Sequence, residues 1–569
     1  MILMKELLKE TKRRNWNIFS FVWIFLGPVL GFSQSTNAPL NEDYYHWIDR
    51  YEIKAGRVVP ELFTSVKPYK RSAIIAYVDS LNKKDQVITT RSDLFNYEYL
   101  RSDNWEWSRA ESSNSVKPFL KHLYKKKSDF LFLDKPEFDL HVNPVLYLGL
   151  GKDSRRDEML FINTRGLEIR GMVDRKVGFY TYIGENQSIL PSYVQDGLSK
   201  YSVIPHEGFW KDFKENGVDF FQARAYIDFN ISKHIYMQFG HDRMFLGNGY
   251  RSLIFSDYSP PGEYLKANVK VWKLNYMFQL NRMTAENKSV GNNPYPTKYV
   301  AFHHLSLNVG RKLNIGMFES VVFGGSSTNG GFELNYLNPV IFYRAIEQQN
   351  GSSDNVILGL DFKWNAIKYV SFYGQFVIDE FLLDNVKSGD GWWANKFAVQ
   401  AGVKYIDVAG LKNLDLQVEG NVVRPYMYSH DTKFTNYMNY LQPLAHPIGA
   451  NFYEVATIVR YQPIPRLNII VKSAFINAGR DGTNENWGGD INKSYNTRQQ
   501  DYGNTIAQGV ENKIIFVDLT TSYMVKHNFF IDLKQTFRRS ESSDPFYDNN
   551  TSITSLALRL NIAQRLYEF

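Results

Sequence analysis

The sequence predicts an all-β transmembrane protein, an antiparallel β-barrel of about 16–18 strands behind a small helical region. Three observations predict this fold class. Polar and apolar residues alternate in successive segments from about Pro136 to the end of the chain. Tight turns and long polar loops join these segments, as in outer-membrane barrels. Aromatic residues make up 15% of the chain although its mean hydropathy is only −0.37, which is expected where rings form belts at two membrane–water boundaries.

Residues 1–33 are predicted to be a signal peptide. A basic start precedes the apolar stretch 18–32, and the small residue Ser33 marks a cut ahead of Gln34. The stretch is shorter than the ~20 residues that a membrane-spanning helix needs, and Pro28 interrupts it. An uncleaved anchor helix is the alternative. Export together with the barrel pattern predicts the outer membrane of a Gram-negative bacterium, with its lipids as partners.

Residues 34–130 are predicted to form a periplasmic helical region. Pro68 is compatible with the start of a helix, and two series of apolar residues at helical spacing follow it. These series are Ile74, Ile75, Val78 and Leu81, and then Leu94, Tyr97, Leu100 and Trp105.

Residues 131–569 are predicted to form the barrel. In the segment LDLQVEGNV the apolar residues occupy one face, while Asp415, Gln417 and Glu419 occupy the other. A soluble antiparallel sheet with one wet face would show the same alternation. Many segments, however, have about ten residues, the length that a tilted strand needs to cross a bilayer, whereas soluble strands usually have about five or six. A secreted array of β-sandwich domains is the alternative.

The C-terminal segment SLALRLNI is predicted to be the last strand, and the chain then ends at an aromatic residue, Phe569. A terminal aromatic residue resembles the recognition signal of proteins that are inserted by the barrel-assembly machinery.

Composition excludes several classes of function. The chain has no cysteine, so disulfides, zinc–thiolate sites and thiol nucleophiles are excluded. Its net charge of +7 is small for 569 residues, and no basic stripe indicates a nucleic-acid partner. The histidines lack the spacing of metal ligands. We therefore predict no metal and no cofactor.

A first group of candidate binding residues lies in the stretch QFGHDRMFLGNGYRSLIFSD and just after it. The group comprises Asp242, Arg243, Tyr250, Arg251 and Tyr258. One interpretation is a hydrogen-bonded cluster that fixes a loop to the barrel wall. The other is a site for a sugar, because guanidinium and carboxylate groups pair well with hydroxyls and the tyrosine rings can stack on pyranose faces.

Five further candidates lie in two other loops. His446, Asn451 and Glu454 precede or begin a strand, and hydrogen bonding in the lumen is their default role. His446 and Glu454 could also form a general acid–base pair, but no nucleophile has the context of a triad. Trp392 and Trp393 are typical of an interface belt, with a glycan-stacking platform as the alternative.

Four motifs together resemble one protein family. They are GLEIRGMVDRKVGFYTYIGENQ (166–187), FGHDRMFLGNGYRSLIFSD (239–257), GFELNYLNPVIFYRAIE (331–347) and QPLAHPIGANFYEV (442–455). In this order they resemble the Wzi capsule-assembly family of outer-membrane proteins, and more closely its RemB-like gliding-motility branch. The resemblance implies an 18-stranded barrel with an N-terminal periplasmic helical bundle that closes the lumen. It also implies a lectin-like role in which exported polysaccharide is held at the cell surface.

The first functional hypothesis is therefore a non-enzymatic outer-membrane protein that binds or organises capsule or exopolysaccharide and supports surface gliding. The alternatives are a porin or transporter, and an accessory of gliding or secretion that contacts machinery proteins in the outer membrane. An outer-membrane hydrolase is a third class. Asp379 and Glu380 are paired acids, but neighbours on a strand point to opposite faces, which disfavours a glycosidase site.

Overall fold

Alternation along the strands places polar side chains inside the folded chain and apolar side chains on its outer surface. Glu419 and Asn421 are buried, whereas Val455 and Leu556, on the opposite face of their strands, are 48% and 53% exposed. A soluble protein rarely leaves such a large apolar surface in water. A barrel in a membrane covers this surface with lipid and turns its polar face to the lumen.

The computed structural model describes residues 35–286, 295–324, 331–340, 342–351 and 354–569, so the predicted signal peptide lies outside the described residues. Within these ranges, eighteen main strands pair antiparallel in chain order, and β18 pairs with β1 to close the barrel. This confirms the predicted fold class. The strands β1–β18 are Phe138–Asp153, Met159–Val173, Val177–Ile189, Gly217–Asn230, Ile235–Asp242, Gly262–Val271, Leu274–Thr284, Thr297–Val309, Leu313–Phe323, Asn355–Ile367, Val370–Glu380, Lys396–Tyr405, Leu414–Val423, Phe452–Ile464, Leu467–Arg480, Val510–Lys526, Phe529–Ser542 and Asn549–Leu560.

Short additional strands accompany the barrel. Leu131–Asp134 pairs with β1, and Lys211–Phe213 pairs with β4. At one end of the barrel, tight turns join the strands, as between β14 and β15. At the other end most connections are long, and the longest join β3 to β4, β9 to β10, β13 to β14 and β15 to β16. The predicted asymmetry of the two ends is therefore present.

The described helices are α1–α7: Glu42–Ala55, Arg71–Asp85, Arg91–Asp103, Trp105–Ser108, Ser192–Tyr201, Tyr343–Asn350 and Leu383–Ser388. The side chain of Asn41 caps α1, and a capping box of Thr90 and Asp93 begins α3. Helices α1–α3 share an aromatic-rich core. Within the described part of the chain, no helix is long and apolar enough to cross a membrane.

Helix α1 lies in the barrel at the end with the tight turns. The backbone N–H of Tyr369, in the turn between β10 and β11, donates to the carbonyl of Ile53 at 3.1 Å. Two acidic residues that precede Ile53 in α1 also contact the wall: Asp49 pairs with Lys404 of β12 at 2.5 Å, and Glu52 pairs with Lys363 of β10. The charges of Lys363 and Lys404, which alternation directs into the lumen, are thus neutralised by acidic residues of α1.

The C-terminal tail, residues 561–569, does not continue the last strand. Strand β18 ends at Leu560, and the tail then turns into the lumen. Glu568 pairs there with Arg251, and the ring of Phe569 lies 5.2 Å from the Arg251 guanidinium. These contacts hold the terminal residue inside the barrel, away from the lipid-facing surface of β18.

Candidate functional site

The loop between β5 and β6 folds into the lumen, and we call residues 243–260 the inner loop. Phe245 and Leu246 form a short strand with Val66 and Lys67 of the helical region. Gly247 follows with φ +128°, a backbone conformation that favours glycine. The inner loop therefore joins the helical region directly.

Glu419 of β13 fixes the centre of the inner loop. Its carboxylate accepts hydrogen bonds from the backbone N–H groups of Tyr250, at 2.7 Å, and Arg251, at 3.0 Å. The hydroxyl of Tyr373 donates to the same carboxylate at 2.8 Å. Buried donors and a buried acceptor thus satisfy one another. The alternation had placed Glu419 on the polar face, but nothing in the sequence links it to Arg251.

Arg251 and Glu454 meet in the lumen although they are far apart in sequence. The Arg251 Nη2 lies 3.0 Å from a Glu454 oxygen, and both side chains are buried. Burial alone would lower the pKa of Arg251, but Glu454 and Glu568 outweigh it and hold the pKa well above its ordinary value. The arginine is therefore a permanent cation shared by two carboxylates.

His446 completes this network in a structural role. Its Nε2 lies 2.7 Å from Glu454, and its Nδ1 accepts a hydrogen bond from the backbone N–H of Ile448 at 3.2 Å. Burial lowers the pKa of His446 although Glu454 opposes the shift. A neutral ring that donates through Nε2 fits these contacts, and both ring nitrogens are engaged.

Asp242 and Arg243 lie beside this network and bind other partners. The Arg243 guanidinium lies 3.0 Å from Glu207 and also donates to the carbonyl of His206. Asp242 accepts from the backbone N–H of Arg243 at 2.8 Å. The ring of Tyr258 packs edge-on against His206 at 4.8 Å.

A cavity of about 400 Å³ lies among the helical region, the inner loop and the tail. We call it the lumen cavity. Four of the ten predicted residues line it: Arg243, Tyr250, Arg251 and Tyr258. The volume lies within the range of small-ligand sites, roughly 300–1,000 Å³. The remaining lining includes residues that the sequence did not single out, among them Glu42, Lys472 and the whole tail from Asn561.

Lys67 also lines the lumen cavity and is buried. Its Nζ donates to the carbonyl of Gly247 at 2.9 Å and lies 4.6 Å from the centre of the Phe245 ring. Burial lowers the pKa of Lys67 to about 7, although Asp49 opposes the shift. The cavity wall thus contains a lysine whose charge changes near neutral pH.

Trp392 and Trp393 lie apart from the inner loop, at the end of the barrel with the long loops. The ring of Trp393 lies 4.9 Å from that of Tyr495, and the Arg498 guanidinium lies over it at 4.2 Å. The ring of Trp392 is 6.2 Å from that of Trp393. We call these four residues the tryptophan platform. Both indoles are half-buried on the loop between β11 and β12, and Tyr495 and Arg498 lie on the loop between β15 and β16.

The other predicted residues are structural in their contacts. The side-chain amide of Asn451 donates to the carbonyls of Gly479 and Gln508, at 3.1 and 2.9 Å, and so ties three segments together.

Asp379 and Glu380 both reach Lys396, at 3.0 and 3.2 Å. The expectation that they point to opposite faces is wrong here, because the pairing of β11 with β12 is irregular between Ile378 and Glu380.

No group of three or more histidine, aspartate or glutamate side chains that could hold a metal ion occurs among the residues that the structure describes.

Comparisons with known proteins add the following findings. The sequence model of the family described as capsule assembly protein Wzi matches residues 149–541. A comparison with curated protein sequences gives no significant match. The structure is similar to that of Wzi from Escherichia coli, described as an outer membrane protein involved in group 1 capsule assembly and as a carbohydrate-binding β-barrel. The TM-score is 0.56 at 13% identity, covering 93% of this chain and 100% of that chain. At this identity the likeness shows the fold.

Two proteins of Pseudomonas aeruginosa, the outer membrane protein OprD and OccK8, are more distant. OprD has a TM-score of 0.42 at 11% identity, covering 74% of this chain and 93% of that chain. OccK8 has a TM-score of 0.41 at 9% identity, covering 74% and 97%.

Proposed function

Because the chain belongs to the capsule assembly protein Wzi family, we propose that it is a non-enzymatic protein that binds exported surface polysaccharide and organises it at the cell surface. It is an outer-membrane β-barrel. The observation that carries the proposal is the filling of the lumen by the helical region, the inner loop and the tail, with a cavity of about 400 Å³ among them. A barrel filled in this way is suited to holding a ligand. The porin alternative requires an open water path.

The tryptophan platform is the proposed contact with the polysaccharide at the surface. It combines two half-buried indoles with a cation, Arg498, on loops at one end of the barrel. Indole rings present a large rigid apolar face at low entropic cost, and this face suits the C–H face of a pyranose. The neighbouring polar groups can then bind the sugar hydroxyls.

Replacing Trp393 with alanine is expected to weaken the binding of purified surface polysaccharide by about thirtyfold or more, because truncating an anchoring tryptophan costs about 2 kcal/mol or more. The measurement is equilibrium binding to the protein in lipid nanodiscs. Trp272→Ala is the matched control, since Trp272 is 73% exposed in a tight turn at the opposite end of the barrel. Equal affinity of the Trp393 variant and the wild type would exclude the platform as the contact.

A deletion strain tests the function in the cell. We expect loss of cell-attached polysaccharide, because the chain would no longer hold it. Normal attachment in that strain would contradict the proposal. Surface movement of the same strain tests the gliding role that the RemB-like motifs predict.

A further inference from the structure

The tail is held in the lumen mainly by side-chain contacts. Beyond β18 it has no regular secondary structure. The Gln564 amide donates to the hydroxyl of Ser522 at 3.0 Å, and Arg565 donates to the Asn186 amide oxygen at 2.7 Å. The hydroxyl of Tyr193 donates to the carbonyl of Tyr567. Such contacts form and break one at a time, unlike the continuous ladder of a strand.

The end of the tail places a carboxylate on the cation of the inner loop. Glu568 pairs with Arg251 and accepts a hydrogen bond from the hydroxyl of Tyr250. Lys472 lies close by, with its Nζ 5.1 Å from the Tyr250 ring. Arg251 keeps a second carboxylate partner, Glu454, at 3.0 Å. If Glu568 left, Arg251 would therefore stay in place and offer free donors to the lumen cavity.

The surroundings of Arg251 suit a sugar. The Tyr250 ring lies 4.5 Å from its guanidinium, and Tyr258 and Phe245 also line the cavity. Rings supply apolar faces, and the guanidinium supplies a planar fork that matches a carboxylate. The lining combines these rings with many charged side chains.

We propose that the lumen cavity binds a saccharide that carries a carboxylate, such as a uronic acid, and that the ligand's carboxylate replaces Glu568 at Arg251. The tail is then an internal competitor that ligand displaces. This inference rests on the proposed function and names a substrate class and a second binding site, separate from the tryptophan platform.

The test uses a trimer of galacturonic acid and the neutral trimer of galactose, titrated calorimetrically into the full-length protein in nanodiscs. Glu568→Gln keeps the shape of the tail but removes its charge. We expect this variant to bind the acidic trimer about tenfold more tightly than the wild type, because a hydrogen-bonded charge pair no longer competes. The neutral trimer is expected to bind neither protein measurably.

Glu207→Gln is the matched control. Glu207 lines the same cavity but pairs with Arg243. Its replacement also removes one negative charge from the cavity wall, but it leaves the pair of Arg251 with Glu568 intact. A smaller gain than that of Glu568→Gln supports exchange at Arg251. An equal gain in affinity would mean that the loss of any negative charge from the cavity explains the effect, and this would overturn the proposal.

Movement of the tail is measured separately. The chain has no cysteine, so Ala563→Cys, which lies on the cavity wall, carries a single fluorophore. The acidic trimer is expected to change its emission saturably, and the neutral trimer is not. No binding of the acidic trimer, or binding without movement, would overturn the inference. If the same preparation still binds intact surface polysaccharide, the proposed function survives that failure.

Discussion

Replacing Arg50 with alanine is expected to make the barrel conduct ions, whereas the wild-type barrel is expected to show no steady conductance. Arg50 of α1 is buried and ties the helical region to the wall: its guanidinium lies 3.2 Å from Asp93 and 2.6 Å from Asp407, and it also pairs with Asp415. Asp407 lies just after β12, and Asp415 lies in β13. Removing one partner of a buried ion pair costs about 3–5 kcal/mol, because the remaining charges lose their counterion.

Planar-bilayer recording measures this result. The wild type is expected to show no steady conductance, and the Arg50 variant is expected to show repeated openings as the helices leave the wall. Arg57→Ala is the control, because Arg57 pairs at 2.7 Å with Asp85 inside the helical region, and that partly exposed pair is worth about 1 kcal/mol or less. Steady conductance in the wild type would favour the porin alternative, and silence of the Arg50 variant would show that this network does not close the lumen.

Replacing Arg251 with methionine is expected to release both the inner loop and the tail. Methionine keeps much of the side-chain length, but Glu454 and Glu568 would then face each other as buried carboxylates without their shared cation. The cost of about 3 kcal/mol or more corresponds to roughly a hundredfold increase in the population of open states. Hydrogen exchange of the backbone amides in residues 245–256 and 561–569 should accelerate by that factor.

Arg251→Lys separates charge from geometry. Lysine keeps the cation but lacks the planar fork, so intermediate acceleration is expected in the same two segments. Unchanged exchange in the methionine variant would mean that Glu419 and the side-chain contacts of the tail hold these segments without Arg251.

The strands could be predicted because their signal is local. Alternation with a period of two fixes which side chains share a face. In a segment such as LDLQVEGNV, each residue can therefore be assigned to the lumen side or to the lipid side of the barrel wall. The same pattern predicts where a strand ends, except where the pairing of two strands is irregular. Asp379 and Glu380 illustrate this limit, because the irregular pairing near Ile378 lets both acids reach Lys396.

The candidate site could be predicted only in part. The sequence indicates Arg251 and Glu454 separately, through their chemistry, but their pairing depends on how the inner loop enters the lumen, and no local pattern encodes that. The strand pattern does not indicate Glu568, because this residue lies beyond the last strand. The available signal was a charged residue between two aromatic residues in the terminal sequence LYEF, where a lipid-facing terminus would not favour a carboxylate.

The most direct test of the central claim is the binding of polysaccharide extracted from the surface of the producing bacterium to the full-length protein in nanodiscs. The account predicts saturable binding that excess free polysaccharide abolishes and that empty nanodiscs do not show. Absence of saturable binding by correctly folded, membrane-embedded protein would contradict it.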